Sequence, residues 1–408
     1  MRSRARSDAE LRDRLERIDW HFVDYNPRRR SPEIHGLHWY PAPFPPGLAG
    51  TLIEVLGTGG TYLDPFSGSG IGPIEAWLRG YTAFGVDINS AANRIARAKI
   101  AILRFGSAED GRLLSDEYSQ IRHQLLPDVR NLTSDEICQT LSIESDAVQW
   151  FMPQVLRELA VVKDWLEKGE VVQKWRETML VLVSATLHKR LSQFRDVHYT
   201  YIVDRSRTKN APARDVDAHS EIARKIVSTF IRFEVTRNRL ERAGMMPDRE
   251  QSGPVFFTAS ADERLADFDE GIDLMVTSPP SFGMNDYVRS QYLTQLIFPD
   301  AMFRENLALE IGARRNRNSV AKLNEYLELL GRCFKSIGAR MHAGGCVAVI
   351  LAASAPSRAS IRPQLDVLQD RLSSPDMKLL WTGSRRVIHR KINNTPFRDE
   401  HIWVLRRD

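Results

Sequence analysis

The stretch TYLDPFSGSGIGPIEAWLRGYTAFGVDIN, residues 61–89, decides how the chain folds. A short apolar run, TYLD, breaks into a glycine-rich turn, and a helix-periodic segment then runs to a stop at Gly80. A second apolar run, TAFGVD, ends at Asp87. Strand, tight turn, helix and strand in that order make a βαβ unit, which implies a parallel sheet with right-handed crossovers. In the turn DPFSGSG, residues 64–70, the chain must reverse tightly and let a ligand approach its backbone, which favours Gly68 and Gly70. Amides at the following helix start then face that ligand. A carboxylate at Asp87, about twenty residues on, can accept hydrogen bonds from both hydroxyls of a ribose. A dinucleotide loop would read GxGxxG and a phosphate loop would carry Gly-Lys-Ser/Thr. Here the glycines fall at 68, 70 and 72 before Pro73, and no such lysine follows. A turn with no ligand is the competing reading.

Upstream, IHGLHWYPAPFPPGLAGTLIEVL places Pro41, Pro43, Pro45 and Pro46 where no regular structure can form, and a helix begins near Leu48. Residues 1–30 read as a short amphipathic helix and a basic turn, NPRRRSPE. Downstream, SAANRIARAKIAILRF continues as a helix, completing a segment 31–105. From 106 to 253 the apolar spacing is helical and strand signals are few, which predicts a large helical insertion. Alternation returns at PVFFTASA and GIDLMVTS, a helix is expected over 323–343, and GGCVAVILAAS reads as a buried strand. The last stretch of 254–408 predicts two strands paired antiparallel.

The run IDLMV ends at Thr-Ser-Pro-Pro, within VTSPPSFGMNDYVR, residues 276–289. Two prolines stop a strand, stiffen the loop and remove two donors, so neighbouring carbonyls can be held facing outward. Ser278 adds a hydroxyl acceptor. A proline-terminated strand with no chemistry is the alternative.

The composition narrows the class. A hydrophobic share of 42% with 27% charged residues describes a globular chain. No apolar run approaches the roughly 18 residues a bilayer demands, and the charged N-terminus lacks the apolar core of a signal peptide, which predicts a cytoplasmic protein. Cys138, Cys333 and Cys346 stand isolated, so no metal site is expected. Lys and Arg exceed Asp and Glu by 57 to 52, a balance that permits a polyanionic partner.

Together, DPFSGSG, GVDIN, HWYPAPFPP and TSPP resemble the amino-directed DNA methyltransferases, which use S-adenosyl-L-methionine to modify N4 of cytosine or N6 of adenine. The likeness covers roughly 31–105 and 254–408. It implies a Rossmann-like, mostly parallel seven-stranded sheet with helices on both faces, the class I methyltransferase fold, interrupted by the helical insertion. It also implies that Asp64, Pro65, Gly68 and Gly70 surround the methionine part of the cofactor, with Phe66 packed beneath it or in the core. Tyr40 and Pro41 would close that end, Asp87 would hold the ribose, and Asp262 or Ser260 would lie near the adenine. Ser278, Pro279 and Pro280 would form the catalytic loop, Ser278 and the Pro279 carbonyl accepting from the target amine.

The base would be flipped out of duplex DNA. The family places a stacking aromatic after Pro-Pro, but this chain has Ser281, which makes Phe282 or Tyr287 the expected displaced ring. The serine favours cytosine N4. The alternatives are an N6-adenine or RNA enzyme of the same fold, or a DNA-binding relative without catalysis. The order of motifs makes the insertion a candidate recognition region. Lys189, Arg190, Arg195, Arg205, Arg207 and Lys209 are its phosphate contacts, with Tyr199 and Tyr201 nearby. Arg385, Arg386, Arg390 and Lys391 form a second basic cluster. A restriction or defence-system partner would accompany an enzyme of this kind.

Overall fold

A computed structural model describes residues 6–20, 34–41, 45–140, 142–192, 216–248, 251–354, 376–388 and 396–408. Helix α1 (Asp8–Glu16) opens with a capping box between Ser7 and Glu10. Helix α2 (Pro46–Leu56) begins on proline, whose missing donor costs nothing at a first turn. The expected βαβ unit follows as β1 (Thr61–Asp64), α3 (Ile71–Trp77) and β2 (Thr82–Asp87), and α4 (Ser90–Phe105) starts under an Asn89 cap.

Among the described residues of 106–253 every regular element is helical. The principal helices there are α5 (Ala108–Val129), α6 (Ser134–Thr140), α7 (Pro153–Lys168), α8 (Arg176–Thr186) and α9 (Ala218–Arg242). A π-helical turn, Leu187–Leu191, extends α8. Then come β3 (Val255–Thr258), α10 (Ala261–Ala266) and β4 (Ile272–Thr277). Helices α11 (Tyr292–Ile297), α12 (Phe303–Leu309) and α13 (Val320–Arg340) lead to β5 (Met341–Ser354), β6 (Met377–Ile388) and β7 (Pro396–Arg407).

The seven strands form one sheet in the order β3-β2-β1-β4-β5-β7-β6. Pairings from β3 through β5 are parallel, and β7 runs antiparallel to both β5 and β6. The architecture is therefore α/β with a mixed sheet. The expectation of a mostly parallel sheet holds up to β5; the last two strands pair as an antiparallel unit, and β7, inserted beside β5, opposes it.

Neighbouring residues along a strand point to opposite faces. Tyr62, Leu274 and Val276 belong to one core cluster, while Leu63 and Met275 belong to another with Leu330, Phe334 and Ile337 of α13. Among the described residues the insertion builds no core of its own. Its Leu159, Trp165, Leu182 and Phe230 share the first cluster with Tyr62 and Val276, so these helices thicken one face of the sheet. No helix among the described residues is long and apolar enough to cross a membrane.

Candidate functional site

Strand order reverses at β1, which has β2 on one side and β4 on the other. Ligands of open α/β sheets bind beyond the carboxyl ends of strands at such a point. The register aligns Asp64 with Gly85 of β2, and Leu63 with Met275 of β4, so Asp64, Asp87 and Thr277 end adjacent strands on one edge. A cavity opens there, and the residues expected from sequence line it together: Tyr40, Pro41, Asp64, Pro65, Phe66, Gly68, Asp87, Ser278, Pro279, Pro280 and Tyr287.

Asp64 is 2% exposed. Its Oδ1 accepts from the Thr277 hydroxyl at 2.5 Å and from the Phe66 amide at 3.1 Å. Burial, with Asp87 nearby, pushes its carboxyl up to about 7. Asp87 accepts from the Gly68 amide at 2.9 Å and the Asn89 amide at 2.8 Å, and burial pushes it up to about 6. Among the described residues neither carboxylate has an ion-pair partner. A buried carboxylate, Asp64, and a half-buried one, Asp87, facing one cavity without a cation suit a ligand that brings positive charge and hydroxyl donors.

The turn between them is shaped by its glycines. Gly68 has φ 50°, and a Cβ there would lie 3.1 Å from the Tyr40 ring. Gly70, at φ 80°, serves packing instead: its Cβ would meet Ala96 at 2.6 Å and Phe256 at 2.9 Å, beneath the cavity rather than in its wall. Lys99, fully buried on α4, donates from Nζ to the Ser69 carbonyl at 2.7 Å and its hydroxyl at 3.1 Å, clamping the turn from below. Burial pulls its ammonium down to about 7. Sequence reasoning missed Lys99, although a lysine in step with Ala92, Ile95, Ala96 and Leu103 on an apolar face was a visible signal.

The segment before α2 is fixed by polar contacts. His38 Nε2 meets Ser184 Oγ at 2.8 Å, and Ser184 meets Thr294 Oγ1 at 2.5 Å, joining this segment to α8 and α11. Burial and the neighbouring His188 hold His38 down at about 3, so it stays neutral. Two residues on, the Tyr40 ring faces Tyr287 with centroids 6.2 Å apart.

At the end of β4 the Tyr326 hydroxyl donates to the Pro280 carbonyl at 2.8 Å, holding the proline loop from outside. Ser281 is buried and lines the cavity. Phe282, expected as the displaced ring, is 4% exposed and turns into the second core cluster, 5.6 Å from Tyr326 between centroids. The structure does not bring it to the cavity, because the chain bends back at Gly283, whose amide donates to the Gly312 carbonyl at 2.8 Å. Of the two rings expected to replace the missing aromatic, Tyr287 is the one that lines the cavity. Glu310, unforeseen from sequence, lines the wall too; it accepts from the amides of Tyr287 and Val288 and pairs with Arg315 at 2.5 Å. Burial pushes its carboxyl up.

Other expected positions fall elsewhere. Asp262 turns from the cavity and pairs with Arg332 at 2.9 Å; Ser260, its alternative, lines the wall in its place. Lys189 and Arg190 sit in the π-helical turn, Arg190 lying 3.8 Å from Glu221. Arg195, Tyr199, Tyr201, Arg205, Arg207 and Lys209 lie outside the described residues, as do Arg390 and Lys391. Arg385 is buried and bound to Glu400 at 2.5 Å across β6 and β7, which removes it from the second basic cluster. No family model matches the chain, and no curated protein matches it.

Proposed function

We propose that the chain is an S-adenosyl-L-methionine-dependent DNA methyltransferase of the class I fold, acting on an exocyclic amine, N4 of cytosine foremost. One observation carries this reading: the glycine turn after β1, Asp87 at the end of β2 and Ser278-Pro279-Pro280 after β4 line a single cavity. A sheet whose parallel part meets an antiparallel β7 supports the class I assignment.

The chemistry of the cavity supports that cofactor. Asp87 would accept from the ribose hydroxyls, Asp64 would stand near the charged methionine end, and Gly68 leaves the space that a side chain would fill. Tyr40 and Pro41 would close that end. When bound, S-adenosyl-L-methionine supplies an electrophilic sulfonium methyl group. An exocyclic amine is a poor nucleophile because its lone pair is shared with the ring. The Ser278 hydroxyl and the Pro279 carbonyl would accept hydrogen bonds from its N–H groups and favour a tetrahedral nitrogen, while the stiff loop fixes their direction. Tyr287 would stack on the extruded base, taking the part left open by Ser281.

A second reading keeps the fold and cavity without catalysis, and the burial of Phe282 beside Ser281 favours it. Transfer of labelled methyl groups to duplex DNA by purified protein, followed by identification of the modified base, separates the two. It also separates cytosine N4 from adenine N6 and, with an RNA substrate in parallel, DNA from RNA. A restriction or defence-system partner belongs to the same proposal.

A further inference from the structure

The catalytic-side loop carries a second feature that the cavity chemistry leaves unused. The segment GARRNRN, residues 312–318, is stitched to the loop that follows the prolines. The Gly283 amide donates to the Gly312 carbonyl at 2.8 Å, and the Arg314 amide donates to the Asn285 carbonyl at 3.0 Å. The Arg315 amide donates to Asp286 Oδ1 at 3.1 Å. The segment is thus bonded to Gly283, Asn285 and Asp286, in the loop whose Asn285, Tyr287 and Val288 line the cavity.

Its nearest acids are already engaged. Arg315 pairs with Glu310 at 2.5 Å and with Asp286 at 3.4 Å. Arg317 is exposed and stands against the loop: a Cβ on Gly283 would come within 2.8 Å of its Cβ. Arg289 and Arg304 are exposed as well; Arg289 follows Val288 of the cavity wall, and Arg304 lines the adjoining cleft. Among the described residues Arg289, Arg304 and Arg317 carry no ion pair. A cleft of about 630 Å³ lies next to the cavity and shares Leu309, Glu310, Ile311 and Leu329 with it. Arg304, Arg315, Lys322 and Arg332 line this cleft; Lys322 is paired with Glu325, Arg332 with Asp262, and Glu328 and Glu305 remain as nearby acids.

We propose that Arg289, Arg304 and Arg317 form a phosphate-binding rim that seats the backbone of duplex DNA beside the cavity. The proposal rests on the methyltransferase reading. Planar guanidinium groups match phosphate oxygens in pairs, and phosphate contacts fix register without reading bases. A rim tied to the Tyr287 loop would set the strand at the distance a flipped base has to travel.

The test is fluorescence anisotropy of a labelled duplex over a salt series, comparing the full chain with the triple variant Arg289→Ala, Arg304→Ala, Arg317→Ala. S-adenosyl-L-methionine affinity is measured on both proteins. Removing a phosphate-bound arginine should flatten the slope of log affinity against log salt by about 0.9 for each phosphate it neutralised, with cofactor affinity unchanged. Equal slope and affinity in the variant overturn the rim and leave the methyltransferase reading standing. A parent chain that binds cofactor but no duplex overturns both, and tighter binding of RNA than of duplex DNA overturns the DNA assignment.

Discussion

The hydroxyl of Thr277, the last residue of β4, donates to Oδ1 of Asp64, the last residue of β1, across 2.5 Å. This bond ties the strand leading into the proline loop to the strand leading into the glycine turn. The two halves of the site, separated in sequence by the whole insertion, are locked in one register.

Thr277→Val should break that lock. Such a buried hydrogen bond contributes about 1–3 kcal/mol of stability, so the valine variant should lose that much stability and bind cofactor more weakly than the parent. Thr277→Ser should restore most of it. Calorimetric titration of both variants checks this; equal affinity of the valine variant would contradict it.

Asp87→Ala should remove the proposed ribose acceptor and leave the Gly68 and Asn89 amides without their carboxylate. Loss of such charged hydrogen bonds predicts a drop in cofactor affinity of about 10- to 100-fold. The far-ultraviolet circular dichroism spectrum should stay that of the parent.

Affinity should also depend on pH. Asp87 stands at about 6 and Asp64 at about 7, and a cationic ligand favours their ionised forms. Binding should strengthen as pH rises through this window and weaken below it, by about tenfold per unit for each proton displaced. The ligand-free fold runs the other way. Because both folded-state values are raised, the stability these groups contribute is full below about pH 4 and is lost as pH rises through 6 to 7. Titrations and Tm measurements across that range check both signs, and a flat affinity profile would contradict the assignment.

Tyr287 and Phe282 should separate function from packing. Tyr287→Ala should slow methyl transfer about tenfold or more, as expected when base stacking worth about 1–3 kcal/mol is removed, while cofactor affinity changes little. Phe282→Ala should lower stability by about 3–5 kcal/mol through an unfilled core space. The reverse pattern would restore Phe282 as the stacking ring.

Local chemistry made much of this legible. Glycines at 68 and 70, Asp87 closing a strand and paired prolines at 279 and 280 each impose a backbone choice that sequence alone displays. The reversal of β7, the turning inward of Phe282 and the pairing of Arg385 with Glu400 depend on contacts between distant segments, which periodicity does not record. Lys99 lies between these cases. Its place on an apolar face was visible, but its partner, the Ser69 carbonyl, was not.

The most direct test is modified-base sequencing of genomic DNA from a host expressing the chain, beside a host expressing the Asp87→Ala variant. The account predicts a methyl group on an exocyclic amine, N4 of cytosine, in one recurring sequence context, present with the parent chain and absent with the variant. Genomes that carry the same modifications in both hosts would contradict it.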